Sequence, residues 1–177
     1  MIAFLKGTLA GKTATTAYIE VNGVGYAVGM SQASLSKLPE AGAPVEVHTF
    51  LQVRDDALAL YGFLALEEKA LFERLIGVGG VGPKVALAAL SAFSPAGLVA
   101  AVQAQDVAAV QRIPGVGKKT ASRIILELKD KLKLEDAFEM KLAHQQEEAA
   151  EGASDLRDSR QEAVEALVAL GYSSADA

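Results

Sequence analysis

The chain has no cysteine and only two histidines, His48 and His144. The first absence excludes disulfides, thiolate zinc sites, iron–sulfur clusters and cysteine nucleophiles, and it fits a reducing cytosol. The second makes a histidine metal cage within one chain unexpected, because the pair stand far apart in sequence. No metal and no other cofactor is expected. No Gly-Lys-Ser/Thr phosphate loop occurs either, so this chain is not expected to hydrolyse ATP. The opening residues, Met1-Ile2-Ala3-Phe4-Leu5-Lys6-Gly7, lack a basic start followed by a long apolar core, and no signal peptide is expected.

One long uncharged run is present. Val85 to Val102 carries no charge over 18 residues, close to the roughly 20 that a membrane span needs. Ser91, Ser94, Pro95 and Gly97 interrupt it, and Ser94-Pro95 reads as an N-cap followed by proline in the first helical turn. Two short buried helices are expected there, without membrane association.

The 177 residues are 51% hydrophobic and 22% charged, which excludes a wholly disordered chain and fits one large domain or two to three small ones. Charge is unevenly placed. Residues 1–62 carry 4 basic and 5 acidic side chains, residues 63–134 carry 10 and 6, and residues 135–177 carry 3 and 11. The total of −5 argues against nucleic acid. Binding answers to the local field, however, and a basic middle between acidic flanks is a candidate phosphate-binding face.

The three regions differ in pattern. Residues 1–63 read as strands near 2–10, 15–21, 24–30, 45–54 and 57–62. Val45, Val47, Thr49, Leu51 and Val53 share one face, with Glu46, His48, Gln52 and Arg54 on the other. Asn22-Gly23 is a tight hairpin signal. Gly25, Ala27 and Gly29 suit a strand that bends or lets another backbone approach. With a short helix from Gln32 to Leu38, the expectation is a small β-barrel of the OB type. Residues 64–134 read as helices, from pairs such as Leu71 and Leu75, Phe72 and Ile76, and the series Ile124, Leu128 and Leu132. Residues 135–155 shift to Glu, Ala, Gln and Gly and read as a flexible acidic linker. From 156 to 177 a helical pattern resumes through Val164, Leu167 and Val168. The chain ends six residues after Gly171, so this segment reads as the incomplete start of a small helical module. The class is α+β multidomain.

A repeat carries the chemistry. Gly80-Val81-Gly82-Pro83-Lys84-Val85-Ala86 recurs 35 residues later as Gly115-Val116-Gly117-Lys118-Lys119-Thr120-Ala121. Leu75 corresponds to Val110, Val78 to Ile113 and Leu90 to Ile125. One helix–Gly-x-Gly–helix unit cannot cover its own apolar face, whereas two can pack together. The glycines turn the chain tightly and admit a ligand to the backbone. The helix that follows begins with unpaired N–H groups and the positive end of its dipole. That combination binds a phosphate without reading a base. Lys84, Lys118, Lys119 and Arg123 lie at the start of these helices, where a basic side chain is slightly unfavourable unless an anionic ligand outweighs the penalty. Gly77-Val78-Gly79-Gly80-Val81-Gly82 also satisfies the dinucleotide pattern G-x-G-x-x-G. That fingerprint requires a preceding strand, and Leu66 to Ile76 has helical periodicity, so the nucleotide reading is rejected.

Arg54-Asp55-Asp56-Ala57 joins two strands, and aspartate is ordinary in turns. Beside a DNA-binding region, two carboxylates on a protruding hairpin also repel phosphates and steer strands apart.

Tandem glycine hairpins behind an OB-like barrel, with Leu60-Tyr61-Gly62-Phe63 at the junction, closely resemble the RuvA family. These are the Holliday-junction-recognising subunits of bacterial branch migration complexes. The resemblance runs from Met1 to about Leu132 and resumes weakly from Gln161 to Tyr172. It implies a non-catalytic, cytoplasmic homotetramer, sometimes doubled into an octamer, that holds a four-way junction open and flat. Contacts to DNA backbones would come from Gly80, Gly82, Lys84, Gly115, Gly117, Lys118, Lys119, Thr120 and Arg123. Asp55 and Asp56 match the family's acidic pin, often Glu-Asp; Asp-Asp keeps both charges and shortens the reach. The linker would lead to a three-helix, UBA-like module that binds the RuvB motor ATPase, of which only the first helix and following turn are present. The RuvC resolvase would join a larger complex. Two alternatives remain open from the residues: a nuclease or glycosylase of another helix-hairpin-helix family, and a general DNA-binding adaptor.

Overall fold

The computed structural model describes residues 1–55 and 57–131. The linker and C-terminal module expected beyond 134 lie outside the described residues, as does Leu132.

Five strands form a closed barrel in the order β1-β2-β3-β5-β4. They are β1 (Phe4–Lys12), β2 (Thr16–Val21), β3 (Val24–Gly29), β4 (Pro44–Val53) and β5 (Leu58–Phe63). All pairs are antiparallel except β3 with β5, which is the OB-like arrangement that the alternating pattern predicted. The β2–β3 turn is the Asn22-Gly23 one, with φ of 50° and 84°, the left-handed pair that a tight hairpin requires. Leu5, Leu9, Ala17, Ile19, Val28, Met30, Val45 and Val47 fill the barrel. Between β3 and β4, α1 (Gln32–Lys37) closes one end. Ser31 caps its start by accepting from Ser34 N–H, and Lys12 Nζ donates to the carbonyls of Leu35 and Leu38 at its finish.

The expected inward face of β4 is buried at Val45, Val47 and Thr49 but not to its end: Val53 is 68% exposed, as is its cross-strand partner Leu58 at 72%. The β4–β5 hairpin runs past the barrel, so side chains in inward register there have no core beneath them.

The helices are α2 (Leu66–Ile76), α3 (Pro83–Ala92), α4 (Pro95–Gln103), α5 (Val107–Val110) and α6 (118–131). Ser94 caps α4 by accepting from Gly97 N–H at 3.1 Å, with Pro95 in the first turn. The uncharged run is therefore two helices bent by 95°, and no single described helix is long and apolar enough to cross a membrane. Leu71, Phe72, Leu75, Leu98, Val102, Val110, Ile124 and Leu128 are buried on the inner faces.

Phe72 locks the helices to the barrel. Its ring lies 5.6 Å from Phe50, 5.2 Å from Tyr61 and 5.0 Å from Phe63, on the outer face of β4 and β5. Such aromatic clusters add to area burial through edge and tilted contacts. Polar ties reinforce the joint: Glu68 accepts from Ser34 Oγ and Leu64 N–H, and Gln32 N–H donates to Ser91 Oγ on α3. The β4–β5 hairpin is thus held in fixed relation to the glycine repeat.

Candidate nucleic-acid interface

The two glycine hairpins share one bonding pattern. Val78 N–H donates to Leu75 O at 3.0 Å and Ile113 N–H to Val110 O at 3.2 Å; Val81 donates to Val78 O and Val116 to Ile113 O, each at 3.0 Å. The side chains of Val78, Val81, Ile113 and Val116 are buried and anchor each loop from beneath. Gly80 and Gly115 occupy the same step with φ of 88° and 84°, the left-handed region that side chains avoid. The loop at 77–82 follows a helix, α2, as the rejection of a dinucleotide fold required.

Gly82 and Gly117 carry a different message. Neither has a positive φ, and a Cβ built on either meets nothing within 4 Å. Neither backbone strain nor packing within the described residues calls for glycine there. The space a side chain would take opens outward, and glycine keeps it free. The first bonds of the following helices run from Ala86 N–H to Gly82 O and from Ala121 N–H to Gly117 O. The amides that precede them have no carbonyl partner among the described residues. Both hairpins therefore present unpartnered N–H groups beside a cleared surface at a helix N-terminus, an arrangement suited to an anion.

Cations surround these surfaces. Lys84 stands one residue inside α3, and Lys118 and Lys119 begin α6; all three are exposed, and among the described residues none has an ion-pair partner. Thr120 is half-buried beside them. Arg123 is placed differently from the lysines. Its Nη1 donates to Gly79 O at 3.1 Å, across from the second hairpin to the first, and its Nε lies 3.7 Å from Glu127. Lys131, two turns on, donates to Arg74 O at 3.4 Å. Helix α6 thus grips the end of α2 and the first loop, and Arg123 joins the two hairpins while its side chain remains 50% exposed.

On the β4–β5 hairpin, Arg54 N–H donates to Ala57 O at 2.9 Å and closes the turn. Asp55 is exposed at the tip; Asp56 lies outside the described residues. Sequence reasoning gave no binding role to Arg54, Gln52 and Tyr61, which line a groove of about 290 Å3 together with Lys84 and Pro83. Lys84 and Tyr61 also border a larger trough of about 780 Å3 that reaches Arg112 and Pro114 beside the second hairpin. Period-2 alternation placed Gln52 and Arg54 on the outer face, but only the fold brings that face beside α3.

Comparison with known proteins agrees with this architecture. Residues 1–62 match the RuvA N-terminal domain, and residues 72–130 match the SAM-like helix-hairpin-helix tandem. Among curated relatives, a protein of Lachnospira eligens is 43% identical over all of this chain and 86% of its own length. One of Symbiobacterium thermophilum is 48% identical over all of this chain and 85% of its own length. One of Acidobacterium capsulatum is 56% identical over 75% of this chain and 67% of its own length. Each carries the name Holliday junction branch migration complex subunit RuvA. With this similarity along its whole length, and a barrel followed by paired glycine hairpins, the chain belongs to the RuvA family.

Proposed function

We propose that the chain binds four-way DNA junctions through their backbones, as the non-catalytic, junction-holding subunit of a branch migration complex in recombination and repair. The observation that carries this reading is the pair of open glycines, Gly82 and Gly117, set beneath unpartnered amides in two hairpins of identical bonding. Gly80 and Gly115 set the turns. The amides around Gly82 and Gly117 take phosphate oxygens, Lys84, Lys118, Lys119 and Thr120 supply charge and a hydroxyl, and Arg123 offers the free edge of its guanidinium. None of these groups reads a base, so recognition is of structure and not of sequence.

Four copies around a rotation axis would grip four arms at once, and avidity would make weak single sites tight. The Asp55 and Asp56 pins would meet the crossover and repel phosphates there, keeping the junction open and flat. The C-terminal module that begins near residue 156 would engage the RuvB motor, whose ATP hydrolysis drives the duplex through, with the RuvC resolvase joining the same assembly. The whole operates in the cytoplasm.

Lys119→Ala tests the phosphate role. It should weaken every junction sequence alike and lower the salt dependence of binding by about 1 for each phosphate no longer neutralised; an unchanged slope contradicts it. Competition of a four-way junction against linear duplex at fixed salt separates this reading from a general DNA-binding adaptor, which would show little preference. Incubation with Mg²⁺ and labelled junction, without a motor, separates it from a nuclease, which would cut.

A further inference from the structure

We propose that the groove between the β4–β5 hairpin and the start of α3 is a further backbone-binding site. It would take a DNA phosphodiester where a strand passes from the first glycine hairpin toward the acidic tip. The inference rests on the backbone-binding reading of the hairpins and extends it onto the barrel.

The groove holds about 290 Å3, enough for a phosphate and its sugar but far less than a duplex. The small residues Ala57 and Ala59 line it, and so do two cations, Arg54 and Lys84. Both cations are exposed, neither has an ion-pair partner among the described residues, and no carboxylate among them lines the groove. Two like charges facing one recess repel each other until an anion enters. Gln52 adds an amide donor, and the guanidinium of Arg54 offers the planar fork that suits phosphate oxygens.

The walls are set in place by the fold. Tyr61 packs on Phe72 at 5.2 Å, and Pro83 opens α3. The β5 side of the groove and the first hairpin are therefore tied through Phe72. Charge changes sign within one residue, from Arg54 to Asp55. A backbone drawn along Lys84 to Arg54 meets repulsion immediately beyond, so the hairpin both guides a strand and ends its path. This gives Arg54 a role only where strands exchange, whereas Lys119 acts wherever a duplex lies on the hairpins.

The test compares the full-length chain with Arg54→Gln and Lys119→Ala on a synthetic four-way junction and on a linear duplex of the same arm sequence, over a range of NaCl concentrations. Arg54→Gln should lower the junction salt slope by about 1 for each phosphate that the guanidinium neutralised and leave linear-duplex affinity unchanged, while Lys119→Ala weakens both. A full junction slope in Arg54→Gln beside a reduced one in Lys119→Ala overturns the groove and spares the hairpins. Full slopes in both overturn the reading beneath it. Junctions bearing a neutral methylphosphonate at one phosphate near the crossover distinguish direct bonding from the general field. The wild-type chain should bind more weakly at one such position and Arg54→Gln should not. Equal weakening of both proteins at every position would overturn direct bonding.

Discussion

A methyl group added at Gly7 would stand 2.0 Å from the carbonyl oxygen of Glu20 on the neighbouring strand, and one added at Gly62 would stand 2.5 Å from Val28 Cγ1. A methyl group added at Gly82 or Gly117 would meet nothing among the described residues. At Gly7 and Gly62 the protein itself occupies the space beside the glycine, and filling it damages the fold. At Gly82 and Gly117 the space is open, and on the proposed reading filling it damages binding. The same residue type thus serves packing at Gly7 and Gly62 and, on the proposed reading, binding at Gly82 and Gly117.

Substitutions at these positions can break or sharpen the contrast. Gly82→Ala combined with Gly117→Ala carries the largest expected effect. The added methyl groups hold phosphate off the neighbouring amides, and losing two such bonds at about 2 kcal/mol each weakens binding at each chain roughly a thousandfold. The melting temperature should hold, because both positions are open and neither φ is positive. Fluorescence anisotropy and calorimetry on one sample check both halves, and a large loss of stability would place these glycines with those of the barrel. Gly7→Ala should do the reverse. Forcing a methyl against a backbone oxygen costs about 3 kcal/mol, the upper part of the overpacking range, read as a fall in the denaturation midpoint. The fraction that remains folded should still bind. Gly80→Ala lies between the two: a left-handed φ of 88° costs roughly 1–2 kcal/mol for a residue with Cβ, and the displaced loop should weaken binding as well. Neutralising the tip, with Asp55→Asn and Asp56→Asn together, should change affinity least, leaving it equal or slightly tighter while branch migration with the motor is altered. Loss of junction binding would make the tip a structural turn.

Local chemistry was legible in the sequence. Asn22-Gly23 specified its turn, Ser94 its cap and the 35-residue repeat its paired loops, because each signal sits within a few residues of its effect. Long-range approaches were not. Gly29 does take a close neighbour in Tyr61, but Gly25 has open space around it. Gly7 and Gly62, the tightest positions, carried no signal at all, since what crowds them comes from strands distant in sequence. Val53 kept the alternation of a core strand although the barrel ends before it; period 2 reports a face and not whether a core lies under it. Arg123 read as one more helix-start cation. Its bond to Gly79 O spans 44 residues and depends on how the second unit folds back on the first. For the same reason the Arg54 groove needed the barrel and α3 to be side by side.

The most direct measurement is the backbone amide spectrum of uniformly 15N-labelled protein titrated with an unlabelled four-way junction at low salt. The N–H resonances of Gly80, Gly82, Gly115 and Gly117 should shift together, and that of Gly25 on the barrel should stay in place. Unchanged hairpin amides at saturating junction would contradict phosphate capture by the main chain.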